Sequence, residues 1–252
     1  MRYLFFVGLF WFFSLSATAQ TITVRNSLNP DAPVARDSLA LIEGQNFTDE
    51  QINNPFTSPL DQTTLGGVTV RIDGILQRIR SVSRTQVEIV VSGAGRASRA
   101  LELRTKLNVI HNTSINVASV WPSLPVQNTG DEAEAYYPAG YWTIDPVGTP
   151  TGAVSGAPIP VGPPSNLTKV VIQVSGLRRG AGTQGVSVRL NGIQCNVVLV
   201  GRSLFAGQNE LTFEIPSYLA GNGVMDLIIT VDGRSSNSAR LNLGGAAGLS
   251  GN

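Results

Sequence analysis

The chain is poor in the residues that catalysis and cross-linking draw on. It has one cysteine, Cys195, and one histidine, His111. A single cysteine excludes an internal disulfide. A single histidine with no paired carboxylate beside it excludes a zinc site of the usual kind. A Ser-His-Asp triad would need His111 as its base, and no Gly-x-Ser-x-Gly elbow accompanies it. In Val109-Ile-His-Asn-Thr113, His111 reads as a loop or strand-end residue. Charge is sparse too: 14% of residues are charged, with 18 basic against 17 acidic side chains. That balance excludes a general nucleic-acid binder, which needs a basic footprint. Lysine is nearly missing, represented by Lys106 and Lys169 among arginines.

Long apolar runs are absent except at the start. Arg2, the run Leu4–Leu15 and the small-x-small site Ala17-Thr-Ala19 have the layout of a secretory signal peptide over residues 1–19, cleaved after Ala19. About 12 apolar residues fall short of the roughly 20 that span a bilayer, so the mature chain is expected to carry no transmembrane anchor. Loss of Arg2 brings its formal charge to zero. The expected location is secreted, periplasmic or at the cell surface. In such an oxidising compartment a lone thiol is either buried or paired with another chain. Cys195, in Ile193-Gln-Cys-Asn-Val197, shares the parity of Ile193 and Val197, which predicts a small core residue; an intermolecular disulfide is the alternative.

What is present is β-structure. Val68-Thr-Val-Arg-Ile72, Thr85–Val91 and Arg99–Arg104 alternate apolar and polar residues, and Leu107 and Val109 continue an inward-facing row. Later, Val170–Val174, Val186–Leu190, Glu210–Ile215, Met225–Val231 and Ser238–Leu243 repeat the pattern. Asp73-Gly74, Asn191-Gly192 and Asp232-Gly233 predict type I′ hairpin turns, which need positive φ at both central residues. The stretch Gly67-Val-Thr-Val-Arg-Ile-Asp-Gly-Ile75 recurs as Gly185-Val-Ser-Val-Arg-Leu-Asn-Gly-Ile193. One β-domain type occurring twice is the simplest account. Short strands with turn signals every 8 to 12 residues are the pattern of a β-sandwich.

Residues 121–166 read differently. They hold most of the prolines, together with Tyr136, Tyr137, Tyr141, Trp121 and Trp142. This is too aromatic for a disordered linker. Part is expected to pack on a domain, and Pro146–Pro164 to be extended and mobile. The domain expectation is therefore signal peptide 1–19, domain one 20–120, a Pro/Gly/aromatic linker 121–166, domain two 167–244 and a flexible tail 245–252.

Ser38-Leu-Ala-Leu-Ile-Glu-Gly-Gln-Asn-Phe47 resembles the opening strand and Gly-x-Asn-Phe turn of IPT/TIG domains, which are immunoglobulin-like sandwiches. Thr63–Gly74 follows in the same order. Val174-Ser-Gly-Leu177, Gly185–Gly192, Gln208–Pro216, Val231-Asp-Gly233 and Ser236-Asn-Ser238 repeat it. Over residues 26–118 and 167–243 the chain closely resembles the tandem TIG-like C-terminal family of large secreted bacterial proteins. The resemblance implies an all-β fold of two immunoglobulin-like (IPT/TIG) sandwiches and a location outside the cytoplasm. It implies no established activity.

Four surfaces could bind something. Asp131, Glu132 and Glu134 are acidic, but the calcium-loop spacing is absent. Residues 71–106 carry eight basic side chains against three acidic ones, and Arg78 and Arg80 alternate with Ile79 on one strand face. Such a face could hold an anionic polysaccharide, or could be an edge charged against aggregation. Tyr137, Tyr141 and Trp142 could stack on sugar rings, or could plug the gap between the domains. Three sequons, at Asn46, Asn112 and Asn166, matter only in a host that glycosylates. The reading is thus a non-enzymatic exported structural or interaction protein, without metal or cofactor. Its partner would be a protein or polysaccharide of the cell envelope, or another copy of itself. A carbohydrate-binding module built on Tyr137, Tyr141, Trp142, Arg78 and Arg80 is the alternative.

Overall fold

The computed structural model describes residues 21–53, 62–93, 96–128, 136–145, 149–177 and 182–247. The expected signal peptide and the acidic residues Asp131, Glu132 and Glu134 lie outside them. The strands of residues 21–118 are β1 (Thr23–Asn26), β2 (Val34–Ala35), β3 (Leu39–Glu43), β4 (Ile52–Asn53), β5 (Thr64–Leu65), β6 (Val68–Ile72), β7 (Ile75–Leu76), β8 (Arg78–Val82), β9 (Gln86–Val90), β10 (Arg96–Arg104) and β11 (Ile110–Ala118). They form one sheet in the order β1-β3-β9-β8-β4 and a second in the order β2-β11-β10-β6-β5, with β7 beside β6. Period-2 alternation sends Val68, Val70 and Ile72 of β6, Val87 and Ile89 of β9, and Leu101 and Leu103 of β10 into one shared core with Ile42 and Phe47.

The second unit contains β12 (Val126–Asn128), β13 (Tyr136–Pro138), β14 (Gly140–Thr143), β15 (Gly152–Ala153), β16 (Ile159–Val161), β17 (Lys169–Val174), β18 (Val186–Leu190), β19 (Ile193–Arg202), β20 (Asn209–Glu214), β21 (Gly223–Val231), β22 (Arg234–Ser235) and β23 (Ala239–Ala246). Among the described residues the one helical turn is a 3-10 turn, Ser217–Leu219. The order is β15-β14-β17-β20-β19-β18-β21-β23-β16, with β22 on β21 and β12 paired with β13 apart. One long strand folds this sheet into two layers. Residues 193–195 of β19 pair with β18, and residues 196–202 pair with β20. Such a strand makes the corner between sheets. Ile172, Leu190, Leu211, Phe213, Leu227 and Leu241 fill the space between the layers.

The two units share a set of strand pairings. The pairs β1·β3, β3·β9, β6·β10 and β10·β11 correspond to β14·β17, β17·β20, β18·β21 and β21·β23, all antiparallel. Both units also close with a parallel pair, β2·β11 and β16·β23. The three hairpin turns have positive φ at both residues: 49° and 78° at Asp73-Gly74, 45° and 83° at Asn191-Gly192, 46° and 77° at Asp232-Gly233.

Several expectations are corrected. The described part of residues 121–166, expected to be a linker of which part packs on a domain, holds β14 and β16, hydrogen-bonded to β17 and β23. Proline at 158 and 160 hid β16, because an edge strand tolerates missing donors on its outer side. The chain after Leu243 is not all loose tail, since β23 runs to Ala246 and Ala247 N–H donates to Val161 O at 2.8 Å. Leu107 and Val109 do not continue an inward row; both are exposed in the turn between β10 and β11, where Asn108 has φ 60°. His111 stands at a strand end, as expected, the second residue of β11. It is a buried residue of β11, edge-on to the Phe47 ring at 6.0 Å between centroids.

Candidate functional site: the groove between the two units

The connection between the units is a polar joint. Ser123 and Ser175 exchange both backbone hydrogen bonds, at 2.9 and 2.8 Å, and Trp121 N–H donates to Gly176 O at 3.1 Å. The Asn26 side-chain amide, at the end of β1, donates to Ser123 Oγ at 3.1 Å, while its oxygen accepts from Leu28 and Asn29 N–H. The Ser175 hydroxyl donates to Gly207 O at 2.8 Å and accepts from Leu39 N–H at 3.2 Å, joining residues 136 apart in the chain. Asn26, Ser123 and Ser175 are fully buried. Glycine is needed at two places. At Gly176 (φ 74°) a Cβ would fall 2.1 Å from Trp121 O, and at Gly207 (φ 77°) it would fall 2.9 Å from Leu39 Cδ2.

Beside this joint lies a groove of about 120 Å³, lined by Asp37, Arg78 and Val90 of the first unit and Arg202, Phe205 and Gln208 of the second. Asp37 sits at φ 55° between β2 and β3, and its N–H donates to Val91 O at 2.9 Å. Arg36 Nε lies 3.3 Å from Asp37 Oδ2, an ion pair by distance, while that oxygen receives no directed hydrogen bond. Small-molecule sites usually enclose 300 to 1,000 Å³. This groove has room for water or a small polar group, not for a sugar ring.

The five residues singled out in the sequence do not converge. Arg78 lines the groove. Arg80 does not share its setting. A bulge between Ile79 and Ser81 breaks the alternation of β8, and Arg80 Nε pairs with Glu88 Oε2 at 3.2 Å. The Ser27 hydroxyl donates to the other oxygen of Glu88. Burial pulls the Arg80 pKa down, and Glu88 acts against that. Tyr137, on β13, is buried with its ring over Gly156. Trp142 packs on the second core and over Gly152, where a Cβ would lie 2.8 Å from Nε1. Tyr141, its neighbour on β14, points to the opposite face of the sheet. It stands in a cross-strand row with Ala153, Val171, Thr212 and Leu199. The aromatic ring at the joint belongs instead to Trp121, with the Arg234 guanidinium 5.1 Å from its centroid.

Cys195 is a buried free thiol in the second core, its pKa pushed up to about 11 by desolvation. Among the described residues no group of three His, Cys, Asp or Glu side chains could hold a metal ion, and no helix is long and apolar enough to cross a membrane. The joint residues Asn26, Ser175 and Gly207, and the groove residues Asp37 and Arg202, went unmarked in the sequence. Their roles depend on distant partners, and a serine before glycine gives no local sign of one.

No curated protein matches the chain. Among solved structures it is similar to the fibronectin(III)-like modules of Clostridium thermocellum CbhA, at 12% identity over 90% of this chain and 95% of that one, with a TM-score of 0.21. It is also similar to domains 5–6 of the S-layer protein SbsC, at 13% identity over 90% and 98% of the two chains and a TM-score of 0.27. Domains 4–9 of SbsC match at 13% identity, with 91% of this chain covering 32% of that one and a TM-score of 0.24. The family model of the IPT/TIG domain matches residues 154–243. Those residues run from the loop before β16 through most of β23 and include both layers around the second core, so the match to the IPT/TIG model falls on the β-sandwich of the second unit.

Proposed function

We propose that the chain is a non-enzymatic structural or interaction protein that acts outside the cytoplasm, with the first unit a second copy of the IPT/TIG domain and the pair working as a stiff spacer. The observation that carries this reading is the joint. Buried hydrogen bonds from Asn26, Ser123 and Ser175 and the close approaches at Gly176 and Gly207 lock one unit on the next. Interfaces between domains of one chain are by default mobile unless large and hydrophobic; what opposes motion in this polar joint is the set of buried side chains that would lose their hydrogen-bond partners if it opened. A joint built this way sets a fixed orientation, which suits a protein that holds surfaces apart rather than one that closes on a substrate. The apolar layout of residues 1–19 supports export.

The test is two-sided. Small-angle scattering of the purified chain is expected to fit one rigid arrangement of the two units, and the chain is expected to be retained on isolated envelope or matrix material. Turnover of any substrate, abolished by a point substitution, would overturn the reading. Scattering that demands a broad range of inter-unit angles would overturn the spacer.

A further inference from the structure

An asparagine followed by glycine can lose its side-chain amide without an enzyme. The glycine backbone nitrogen attacks the asparagine Cγ, a five-membered succinimide closes and ammonia leaves. Water then opens the ring to isoaspartate or aspartate. Glycine favours the attack because it has no Cβ to crowd its nitrogen. The chain holds two such pairs, Asn191-Gly192 and Asn222-Gly223. The fold treats them differently.

Asn191 is clamped. It stands in the turn between β18 and β19 at φ 45°, and its backbone N–H donates to Asp226 O at 2.9 Å. Asp226 N–H donates back to Asn191 Oδ1 at 2.7 Å. The first unit builds the same clamp with an aspartate: Asp73 N–H donates to Ala100 O at 2.8 Å, and Ala100 N–H donates to Asp73 Oδ1 at 2.9 Å. Ring closure at Asn191 must turn the carboxamide away from Asp226 N–H and so break that bond.

Asn222 carries no such restraint. It is exposed, between the 3-10 turn Ser217–Leu219 and β21. Among the described residues nothing hydrogen-bonds its side chain. Its backbone N–H makes a long contact, 3.3 Å to Leu219 O. Glycine flanks it on both sides, Gly221 at φ 77° and Gly223 at φ 68°, and a Cβ at either would meet nothing within 4 Å. The carboxamide has space to swing toward the Gly223 nitrogen. Gly223 is the first residue of β21, so fraying of that strand end is enough to free its N–H.

We propose that Asn222 is a self-modifying site that converts to isoaspartate in the folded protein, while the clamp holds Asn191 unreactive. The product carries a carboxylate on a backbone lengthened by one methylene. The lengthening falls between the Gly221 N–H bond to Gly244 O and the Gly223–Leu243 pair, which close this end of β21·β23. Conversion therefore loosens that end of the second unit and makes the protein more acidic with age. The inference does not depend on the spacer reading.

The full chain, kept folded at mildly alkaline pH and then digested, tests it. Mass spectrometry reads deamidation at each pair, and isoaspartate methyltransferase labelling reads the product. The Asn222 peptide is expected to convert about tenfold or more faster than the Asn191 peptide, because only the latter must give up a hydrogen bond. In denaturant the two are expected to convert at similar rates. Hydrogen exchange of the aged protein is expected to lose protection at Gly223 and Leu243, and Asn222→Ser to retain it. Equal rates at the two pairs in the folded chain would overturn the proposal. So would an Asn222 that converts in denaturant and stays intact in the folded protein.

Discussion

At the scale of single residues the chain spends its rare chemistry on packing. Cys195 and His111, the two side chains a sequence reader would suspect first, are both buried among apolar neighbours. Because burial raises the Cys195 pKa from 9.0 to about 11, the folded state keeps the thiol protonated where the unfolded state would ionise it. The stability this contributes is complete below pH 9 and is lost as pH rises toward about 11, by up to about 2 kcal/mol. Denaturant melts at pH 8 and pH 10.5, with Cys195→Ala flattening the difference, check this. The same burial predicts that a thiol-specific reagent leaves the native protein unmodified and reacts fully in denaturant. Arg80 illustrates the same economy. A basic face would have used it for ligands, whereas it is spent on Glu88. Glu88→Ala leaves that half-buried guanidinium without its carboxylate and is expected to cost about 1 to 3 kcal/mol, read from the melting midpoint.

At the scale of elements the informative strands are the ones the sequence hid. β14 and β16 open the second unit, yet glycine, proline and aromatic residues mask any alternation. What fixes β14 is backbone proximity: a Cβ at Gly140 would lie 2.1 Å from Val171 O. Gly140→Ala therefore forces β14 off β17 and is expected to destabilise the second unit by about 2 kcal/mol or more, as overpacking does. Hydrogen exchange is expected to show the loss in β14 and β17 and not in β3 or β9. The readable strands, such as β6 and β18, lie between two neighbours with one face on the core. Their alternation is therefore imposed by burial. The Asp-Gly and Asn-Gly turns are equally legible, because few residue pairs adopt positive φ twice in succession.

At the scale of the molecule the joint decides behaviour. Ser175→Ala would strand the buried Leu39 N–H and Gly207 O and is expected to cost about 1 to 3 kcal/mol. Gly207→Val adds a strained φ and a clash with Leu39 and is expected to loosen the joint without unfolding either core. Small-angle scattering would show this as a broader distribution of inter-unit angles, with β-sheet circular dichroism unchanged. Retention of the wild-type profile in Gly207→Val would place the stiffness elsewhere.

The sequence by itself determined the all-β class, the recurrence of one strand-turn-strand phrase and the three hairpin turns. These features rest on local alternation and on backbone angles that few residues tolerate, so they are written over a handful of neighbouring positions. The tertiary structure decided the rest. It turned Tyr141 and Trp142 to opposite faces of one sheet, paired Arg80 with Glu88, and brought Arg78 and Arg202 to the same groove. Each of these depends on which distant strand arrives beside a residue, and burial and hydrogen bonding between distant segments are not encoded at any one position along the chain.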